Sequence, residues 1–352
     1  MTWPGRGRLA LLLTLLAVSA GVAVGSAPSG YTADGGPGRT QATTETQQAE
    51  GLTHRLTLPG VVREKPRSVT LAAVGDVMLA RTVGERILSD GPGAPFAGVA
   101  DELSGADVTA ANLECTLSDR GEPAAKGFTF RAPPAAADAL VAAGVDVVSQ
   151  ANNHSLDFGP DALADTEDLL AARGIAWAGA GATDAAAHRP AVLKRGGLRI
   201  AFLAYVEVPV EYGGFDTRTW EATPTTAGVA WLDVDRMRAD VAAARAENDL
   251  VVVMLHFGFE GSPTPSDSQR AAAHAAIDAG AAIVIGAHPH VLQPVEEYGR
   301  GVIVYSLGNF VFDGYDNPSQ ESAIFEAVLD DGGVVAWRLV PVTIDEGGIP
   351  HV

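Results

Sequence analysis

The chain has 352 residues, 47% of them apolar, which is enough to bury a full core in one large domain or two small ones. A disordered protein is excluded by that composition. The formal net charge of −19 argues against a protein that binds nucleic-acid phosphates, because no basic surplus is present to release counterions. We therefore expect a folded, acidic protein with no nucleic-acid partner.

Residues 1–27 have the layout of a secretory signal peptide. Arg6 and Arg8 precede an apolar run from Leu9 to Val24, and small residues follow at 25–27. An uncleaved membrane anchor is the alternative, since the run is near the ~17-residue lower limit for a bilayer span. We expect an exported protein, either extracellular or tethered to the outer face of the cell membrane.

Two segments follow the leader. Residues 28–67 are rich in Gly, Thr, Gln, Ala and Pro without apolar periodicity, which predicts a disordered linker. Residues 68–352 are predicted to form the folded domain. Cys115 is the only cysteine, so an intramolecular disulfide is excluded, and a small half-buried residue is favoured over a catalytic thiol.

The folded domain alternates short apolar runs with Ala-rich helical stretches. Such runs separated by helices predict an α/β fold with a mainly parallel, buried sheet. The predicted strands are Val69–Val74, Asp107–Ala111, Val145–Ser149, Leu198–Tyr205, Leu250–Leu255, Ala282–Ile285 and Gly301–Tyr305. The predicted helices are Pro134–Ala143, Ala162–Ala172, Val234–Glu247 and Asp267–Ala279. Two last runs, Ser322–Leu329 and Val334–Ile344, predict a β-hairpin that forms a second, antiparallel layer.

A pair of histidines, His288 and His290, follows the apolar run that ends at Ile285, with Pro289 between them. Histidine is the commonest side-chain metal ligand, and ligand sites form at the carboxyl ends of strands in α/β sheets. Two loop histidines bonded to backbone are the alternative. Polar residues at several other strand ends favour the metal site.

Carboxylates end two of these strands. Asp76 follows Gly75 and is the natural first anionic ligand, with helix capping as the alternative. Asn112 and Glu114 fall on one side of an extended chain, because strand side chains alternate. Glu114 is placed to bridge two metals; a solvated loop acid is the alternative.

The densest polar cluster is residues 149–159. Asn153 offers an amide oxygen to a metal, His154 can give or take a proton, and Asp157 can fix the tautomer of His154. Asn152 is expected to support these residues or contact substrate. An ordinary asparagine turn is the alternative.

Two more strand ends add residues to the same edge. His256 follows one apolar run and is expected to face the other histidines, with a satisfied core histidine as the alternative. Glu260, in the loop that His256 opens, and Asn309, in a later glycine-containing loop, are expected to orient ligands or contact substrate. A turn with local side-chain bonds is the alternative for Asn309.

Carboxylates, an amide and imidazoles together suit Zn, Mn or Fe, as one ion or two. Two such ions ~3.5–4 Å apart clamp a phosphate and activate water. His188 and His274 have no predicted partner residues and are predicted to be surface residues. Neither a Gly-x-Ser-x-Gly elbow nor a phosphate-binding Gly-x-x-x-x-Gly-Lys loop is present, which disfavours serine-hydrolase and ATPase functions.

In their residues and in their order along the chain, these motifs resemble those of the CapA family of bacterial capsule and poly-γ-glutamate synthesis proteins. The resemblance runs from about Val69 to Asp313. The matching segments are Gly75-Asp76-Val77-Met78, Asn112-Leu113-Glu114, Asn152-Asn153-His154-Ser155-Leu156-Asp157, His256-Phe257-Gly258-Phe259-Glu260, His288-Pro289-His290-Val291-Leu292-Gln293 and Tyr305-Ser306-Leu307-Gly308-Asn309-Phe310.

That family is similar to a divergent branch of the calcineurin-like metallophosphoesterases, which implies a four-layer α-β-β-α sandwich. The resemblance also implies proton transfer at His154 and a set of metal ligands: Asp76, Glu114, Asn153, His256, His288 and His290. Met78 departs from the pattern, because it stands where standard metallophosphoesterases have a metal-binding histidine. A thioether is a poor ligand for hard divalent ions, so one metal site is predicted to be weakened or empty.

Two functions are compatible with the resemblance. The first is a metal-dependent, phosphoesterase-like hydrolase that serves cell-envelope polymer production and acts on a phosphoester or an anionic polymer. The second is a non-catalytic accessory protein that binds a membrane polymer synthase complex or the acidic polymer and keeps a relict metal site. The acidic surface disfavours direct binding of poly-γ-glutamate, since like charges repel.

Overall fold

The computed structural model describes residues 67–211, 213–314 and 320–352. The predicted signal peptide, and the predicted linker up to residue 66, lie outside the described residues. Within the described ranges, no helix has the length and apolar character needed to cross a membrane.

The elements are numbered in chain order. The strands are β1 (Ser68–Val77), β2 (Val108–Leu113), β3 (Thr116–Leu117), β4 (Arg131–Ala132), β5 (Val147–Ser149), β6 (Ala176–Ala178), β7 (Ala180–Gly181), β8 (Ala191–Arg195), β9 (Leu198–Glu207), β10 (Gly228–Val229), β11 (Leu250–Phe257), β12 (Ile283–Ala287), β13 (Val295–Tyr298), β14 (Gly301–Val304), β15 (Asn309–Val311), β16 (Glu321–Asp330), β17 (Gly333–Ile344) and β18 (Pro350–His351). The α-helices are α1 (Arg81–Asp90), α2 (Ala100–Ser104), α3 (Ala136–Ala142), α4 (Gly159–Ala172), α5 (Asp184–Ala187), α6 (Val234–Glu247) and α7 (Asp267–Asp278). Short 3-10 helices cover Ala94–Phe96 and Thr217–Trp220.

The longer strands form two mixed sheets. In the first sheet the order is β18-β17-β16-β1-β2-β5-β6, and β15 also pairs with β1. In the second sheet the order is β13-β14-β12-β11-β9-β8. The central strands run parallel. They are β1, β2, β5 and β6 in the first sheet and β9, β11, β12 and β14 in the second. The predicted parallel pairing is therefore confirmed for the strand cores, which are divided between two sheets.

The C-terminal hairpin extends the first sheet, and the prediction that it forms a separate antiparallel layer is wrong. Strand β16 pairs antiparallel along β1, with Val69 opposite Leu329 and Ala73 opposite Phe325. Strand β2 pairs with only one edge of β1. Without the hairpin, the backbone N–H and C=O groups on the other edge would be unpaired. The hairpin satisfies those groups.

Helix bounds follow local capping. Helix α6 matches its predicted range and begins where the Asp233 side chain accepts a hydrogen bond from the Arg236 N–H. Helix α7 begins with a capping box between Ser266 and Gln269. Helix α1 was not predicted, since its N-cap residue, Ala80, has no capping side chain.

Three buried clusters join the sheets and helices. One contains side chains from both sheets, among them Leu71 of β1 and Phe202 of β9. A second joins the first sheet to helices α1–α4 and includes Ile87 of α1. The third joins the second sheet to α6 and α7 and includes Met237 of α6. The fold is mixed α/β, as predicted, and apolar burial on both faces explains the near-continuous apolar strands.

His188 and His274 both have carboxylate partners, so the prediction that they have no partner residues is wrong. His188 Nδ1 lies 2.9 Å from Asp240 Oδ2. His274 Nε2 lies 3.0 Å from Glu296 Oε1, and its ring stacks on Tyr298 with centroids 3.8 Å apart. His188 thus joins the end of α5 to α6, His274 joins α7 to β13, and both lie outside the cluster described below.

Gly75 permits a close approach of two backbones. A Cβ at this position would lie 1.9 Å from the carbonyl oxygen of Gly308. That same oxygen accepts a hydrogen bond from the Asp76 N–H at 3.0 Å. The absence of a side chain at Gly75 therefore fixes the position of Asp76 against the loop that precedes β15.

We predict that Gly75→Ala lowers the free energy of unfolding by about 1–3 kcal/mol, because the added methyl group overlaps a backbone oxygen. Urea denaturation measures the loss. Gly93→Ala is the matched control, since an added Cβ there meets no atom within 4 Å, and it should change stability by less than about 0.5 kcal/mol. Equal effects of the two substitutions would contradict the prediction.

Candidate metal centre

Polar side chains from both sheets meet at the carboxyl ends of their parallel strands. Asp76 of β1 lies opposite Asn112 of β2 and Asn309 of β15 in the sheet register. His256 of β11 lies opposite Ala287, the last residue of β12. Because parallel strands end at a common edge, residues distant in sequence become neighbours there.

The loops after these strands complete the cluster. Asn153 and His154 follow β5, Glu260 follows β11, and the His288–His290 pair follows β12. Glu260 is exposed, whereas the other members are buried. The residues that the sequence places in the site all lie here: Asp76, Asn112, Glu114, Asn152, Asn153, His154, Asp157, His256, Glu260, His288, His290 and Asn309.

The His-Pro-His loop is strained. His288 has φ of 95° and His290 has φ of 56°; Arg81, at 52°, is the other non-glycine residue with positive φ in the described ranges. Such conformations are unfavourable for residues with a Cβ and persist where surrounding contacts impose them, often at functional sites. Here the His288 N–H donates to Asp76 Oδ2 at 3.3 Å.

The first candidate metal-binding group is Asp76, Glu114 and His256, whose ligand atoms lie within 4.8 Å of one another. Glu114 Oε1 is buried without a hydrogen-bond partner. It lies 3.8 Å from Nε2 of His154 and 3.9 Å from Nε2 of both His256 and His290. These separations are too long for hydrogen bonds, but they fit two donors that bind one ion through bonds of ~2.0–2.2 Å at a wide angle.

The second candidate group is Glu260, His288 and His290, whose ligand atoms also lie within 4.8 Å of one another. Nδ1 of His288 is buried without a hydrogen-bond partner. His290 Nδ1 lies 2.8 Å from Asn309 Oδ1 and 3.3 Å from Asp76 Oδ2. Asn309 and Asp76 thus orient His290, as supporting groups orient metal-binding imidazoles.

These residues fit a divalent metal ion. Buried polar atoms without partners are rare and costly, and two of them here, Glu114 Oε1 and His288 Nδ1, are metal-ligating atoms. Asn153 adds an amide oxygen 2.7 Å from His256 Nε2. Mixed imidazole nitrogen and carboxylate oxygen suit Zn, Mn or Fe.

Met78 does not reach this cluster. Its side chain is fully buried in the apolar cluster on the helix side of the first sheet. Its Sδ accepts a hydrogen bond from the Ala80 N–H at 3.2 Å. Of the candidate ligands, strand β1 therefore supplies only Asp76.

Burial and neighbouring charges control protonation in the cluster. Burial, followed by the Asp76 carboxylate, raises the pKa of Glu114 well above its usual value. Burial, followed by the neighbouring imidazoles, lowers the pKa of His256 well below its usual value and that of His288 to about 3. Burial also opposes a charge on His290, but contact with Asp76 outweighs it and raises the pKa of His290. His256 and His288 are therefore neutral at pH 7, the state that binds metals.

His154 and Asp157 form a fixed pair. His154 Nδ1 lies 2.7 Å from Asp157 Oδ2, which also accepts a hydrogen bond from the Phe130 N–H at 2.6 Å. The His154 ring stacks on Phe130 with centroids 4.1 Å apart, and its backbone N–H donates to Asn152 Oδ1 at 3.0 Å. Burial lowers the pKa of His154, although the nearby Asp157 carboxylate acts to raise it. With Nδ1–H donated to Asp157, Nε2 is left as a proton acceptor facing Glu114.

Lys126 is a site residue that the sequence does not reveal. Its side chain is completely buried, and its ammonium contacts Asp157 Oδ1 at 2.8 Å and Glu211 Oε1 at 2.6 Å. It also donates to the Asn153 carbonyl at 2.5 Å and lies 4.9 Å from the Trp220 ring centre. Lys126 follows an irregular segment without apolar periodicity, so no sequence signal identifies it.

A cavity of about 250 Å³ opens onto the cluster. Arg81 borders it, with Nε donating to Asp313 Oδ1 at 2.7 Å and the guanidinium 4.8 Å from the Phe130 ring centre. A larger hollow of about 420 Å³ lies between α2 and the β16–β17 hairpin and has no histidine in its lining. We therefore take the smaller cavity as the access route. Its lining includes Arg81, Phe130, Asn153, His154, Glu260 and His290.

Cys115 is fully buried, more so than predicted. Burial raises the pKa of its thiol to about 12, and its Sγ accepts a hydrogen bond from the Leu79 N–H at 3.5 Å. A thiol with so high a pKa is not an effective nucleophile near neutral pH. Cys115 is a packing residue.

We predict that Lys126→Met lowers the free energy of unfolding by about 3–5 kcal/mol, because it leaves the buried Asp157 carboxylate without its cation. Lys194→Met is the matched control: Lys194 is exposed on β8, and its substitution should cost less than about 0.5 kcal/mol. Denaturant titration of both variants makes the comparison. A loss at Lys126 no larger than that at Lys194 would show that the ion pair is not needed.

Comparison with known proteins agrees with the motifs. Residues 70–314 match the family model described as bacterial capsule synthesis protein PGA_cap. The chain is 32% identical over 295 residues to the capsule biosynthesis protein CapA of Bacillus anthracis, covering 82% of this chain and 70% of that protein.

Two further relatives have the same level of identity. The PGA biosynthesis protein CapA of Bacillus subtilis is 32% identical over 276 residues, covering 78% of this chain and 71% of that protein. A probable polyglutamine synthesis accessory protein of Mycobacterium tuberculosis is 32% identical over 260 residues, covering 69% of this chain and 67% of that protein. The resemblance seen in the motifs is confirmed: the chain belongs to the PGA_cap family of bacterial capsule synthesis proteins.

Proposed function

We propose that the protein is an exported, metal-dependent hydrolase that serves the production of a cell-envelope polymer, such as a capsule or poly-γ-glutamate. The relatives' names support the biological role. One structural observation carries the chemistry: the buried, unpartnered Oε1 of Glu114 faces three imidazole Nε2 atoms at 3.8–3.9 Å. A buried carboxylate oxygen that faces imidazole nitrogens without a hydrogen-bond partner is suited to binding a cation.

The fold belongs to the same proposal. We assign it to the four-layer α-β-β-α sandwich of the metallophosphoesterase type. The arrangement of the three buried clusters supports this assignment. One cluster contains side chains of both sheets, and each sheet has a further cluster on the side where its helices pack. This arrangement leaves the carboxyl ends of both sets of parallel strands at one edge.

The ligands that would hold one or two Zn, Mn or Fe ions are Asp76, Glu114, Asn153, His256, His288 and His290. When bound, such ions supply Lewis acidity toward a phosphoryl or acyl oxygen. His154 transfers a proton from Nε2 to the leaving group of the substrate. Asp157 holds the Nδ1–H of His154, and Lys126 holds Asp157.

The proposed substrate is a phosphoester or an anionic polymer, and the proposed partner is a membrane polymer synthase complex. Arg81, at the border of the cavity, provides a cation near His154. The overall charge of −19 makes local cations necessary for an anionic substrate to approach. The name of the mycobacterial relative, an accessory protein, is consistent with work beside a synthase.

A non-catalytic accessory protein with a relict metal site is the second candidate. The burial of Met78 among apolar residues favours it, because one ligand position of a standard two-metal hydrolase is lost. Metal would then stabilise the fold without supporting turnover.

We predict that the purified full-length protein binds divalent metal and hydrolyses bis(p-nitrophenyl) phosphate with Mn, Zn or Fe. Asp76→Ala should lose bound metal, as measured by elemental analysis. His154→Ala should keep the metal and lose turnover by about 10²–10⁴-fold, because proton transfer is removed. His351→Ala, which removes an exposed histidine at the C-terminus, is the control and should change neither quantity.

Two results would count against this function. Full metal content in Asp76→Ala would show that the metal binds outside the cluster that contains Asp76. Bound metal without turnover on any of the three ions would favour the accessory protein.

A further inference from the structure

We infer that Glu260 is itself a metal ligand, and that it forms with His288 and His290 a second, outer cation site beside the buried one. This inference rests on the metal binding in the proposed function. It changes the role of Glu260, which the sequence places only among residues that contact substrate or support the ligands. The two sites differ in burial and in the number of carboxylates, so they should differ in affinity.

The loop that carries Glu260 is clamped to the His-Pro-His loop. The Gly261 N–H donates to the Pro289 carbonyl oxygen at 2.8 Å. Nε2 of Gln293 donates to the Ser262 carbonyl oxygen at 2.9 Å, and Gln269 donates to Oε1 of Gln293 at 3.0 Å. Glu260 is therefore an exposed residue on a fixed segment of backbone, which is the condition for a preorganised ligand.

Two of the three residues of this outer site, Glu260 and His288, offer atoms that no described residue holds. His288 Nδ1 is buried and has no hydrogen-bond partner. Within the described residues, no hydrogen bond or ion pair holds the Glu260 carboxylate, which lies within 4.8 Å of the ligand atoms of His288 and His290. A carboxylate and two imidazoles are a common protein ligand set for a divalent ion that keeps open positions.

The outer site also accounts for Met78. That side chain lies in the apolar core, so strand β1 contributes no second ligand beside Asp76. Glu260 supplies an anionic ligand from the second sheet instead. The buried site holds two carboxylates, Asp76 and Glu114, whereas the outer site holds Glu260 alone. Lower anionic charge and greater exposure predict that the outer ion binds more weakly and exchanges faster.

The test is calorimetric titration of the metal-stripped full-length protein with Mn²⁺. We expect the unaltered protein to bind about two ions with different affinities. Glu260→Gln, which keeps the shape but removes the charge, should leave the tight site intact and weaken the second by about tenfold or more. Glu85→Gln, an exposed substitution on α1, is the control and should bind like the unaltered protein.

Electron paramagnetic resonance of the Mn-loaded protein separates a ligand from a merely structural residue. Two adjacent Mn ions give a spin-coupled spectrum, and Glu260→Gln should convert it to that of isolated ions. Thermal unfolding of the metal-free variants should be unchanged. The inference is overturned if Glu260→Gln binds two ions with unaltered affinities. It is also overturned if the unaltered protein binds one ion and Glu260→Gln binds that ion equally well. If the unaltered protein binds no metal, the proposed function itself fails.

Discussion

The rest of the site depends on the burial of Asp76 where the two sheets meet. Its carboxylate accepts a hydrogen bond from Asn112 of the neighbouring strand at 2.8 Å and from the His288 N–H at 3.3 Å, and it lies 3.3 Å from His290 Nδ1. One side chain thus fixes the loop of the second sheet against a strand of the first. Gly75 makes this position accessible, because any Cβ there would overlap the Gly308 carbonyl oxygen.

Burying Asp76 beside Glu114 creates an electrostatic problem that explains much of the chemistry. Burial and the Asp76 charge raise the pKa of Glu114, while burial keeps the imidazoles of His256 and His288 neutral. The buried ammonium of Lys126 contacts Asp157 and Glu211 rather than these two carboxylates. A divalent ion is the simplest group that can compensate Asp76 and Glu114, since a buried charge without a partner is costly. An ion in the buried site would satisfy Glu114 Oε1, and an ion in the outer site would satisfy His288 Nδ1.

The sequence predicts what depends on local pattern. Apolar runs mark the strands that end near Asp76, His256 and His288, and the rule that parallel strands share a carboxyl edge predicts that these residues meet. Pattern does not show which strands share a sheet, so it does not predict the pairing of the C-terminal hairpin with β1. It also does not reveal Lys126, whose role comes from Asp157 and Glu211, both distant in sequence.

The most direct test of the metal centre is anomalous X-ray diffraction from crystals of the Mn-loaded protein, collected on both sides of the Mn absorption edge. The account predicts one anomalous peak among Asp76, Glu114 and His256 and a second, of lower occupancy, among Glu260, His288 and His290. Crystals that bind Mn elsewhere, or that show no peak at this edge of the sheets, would contradict it.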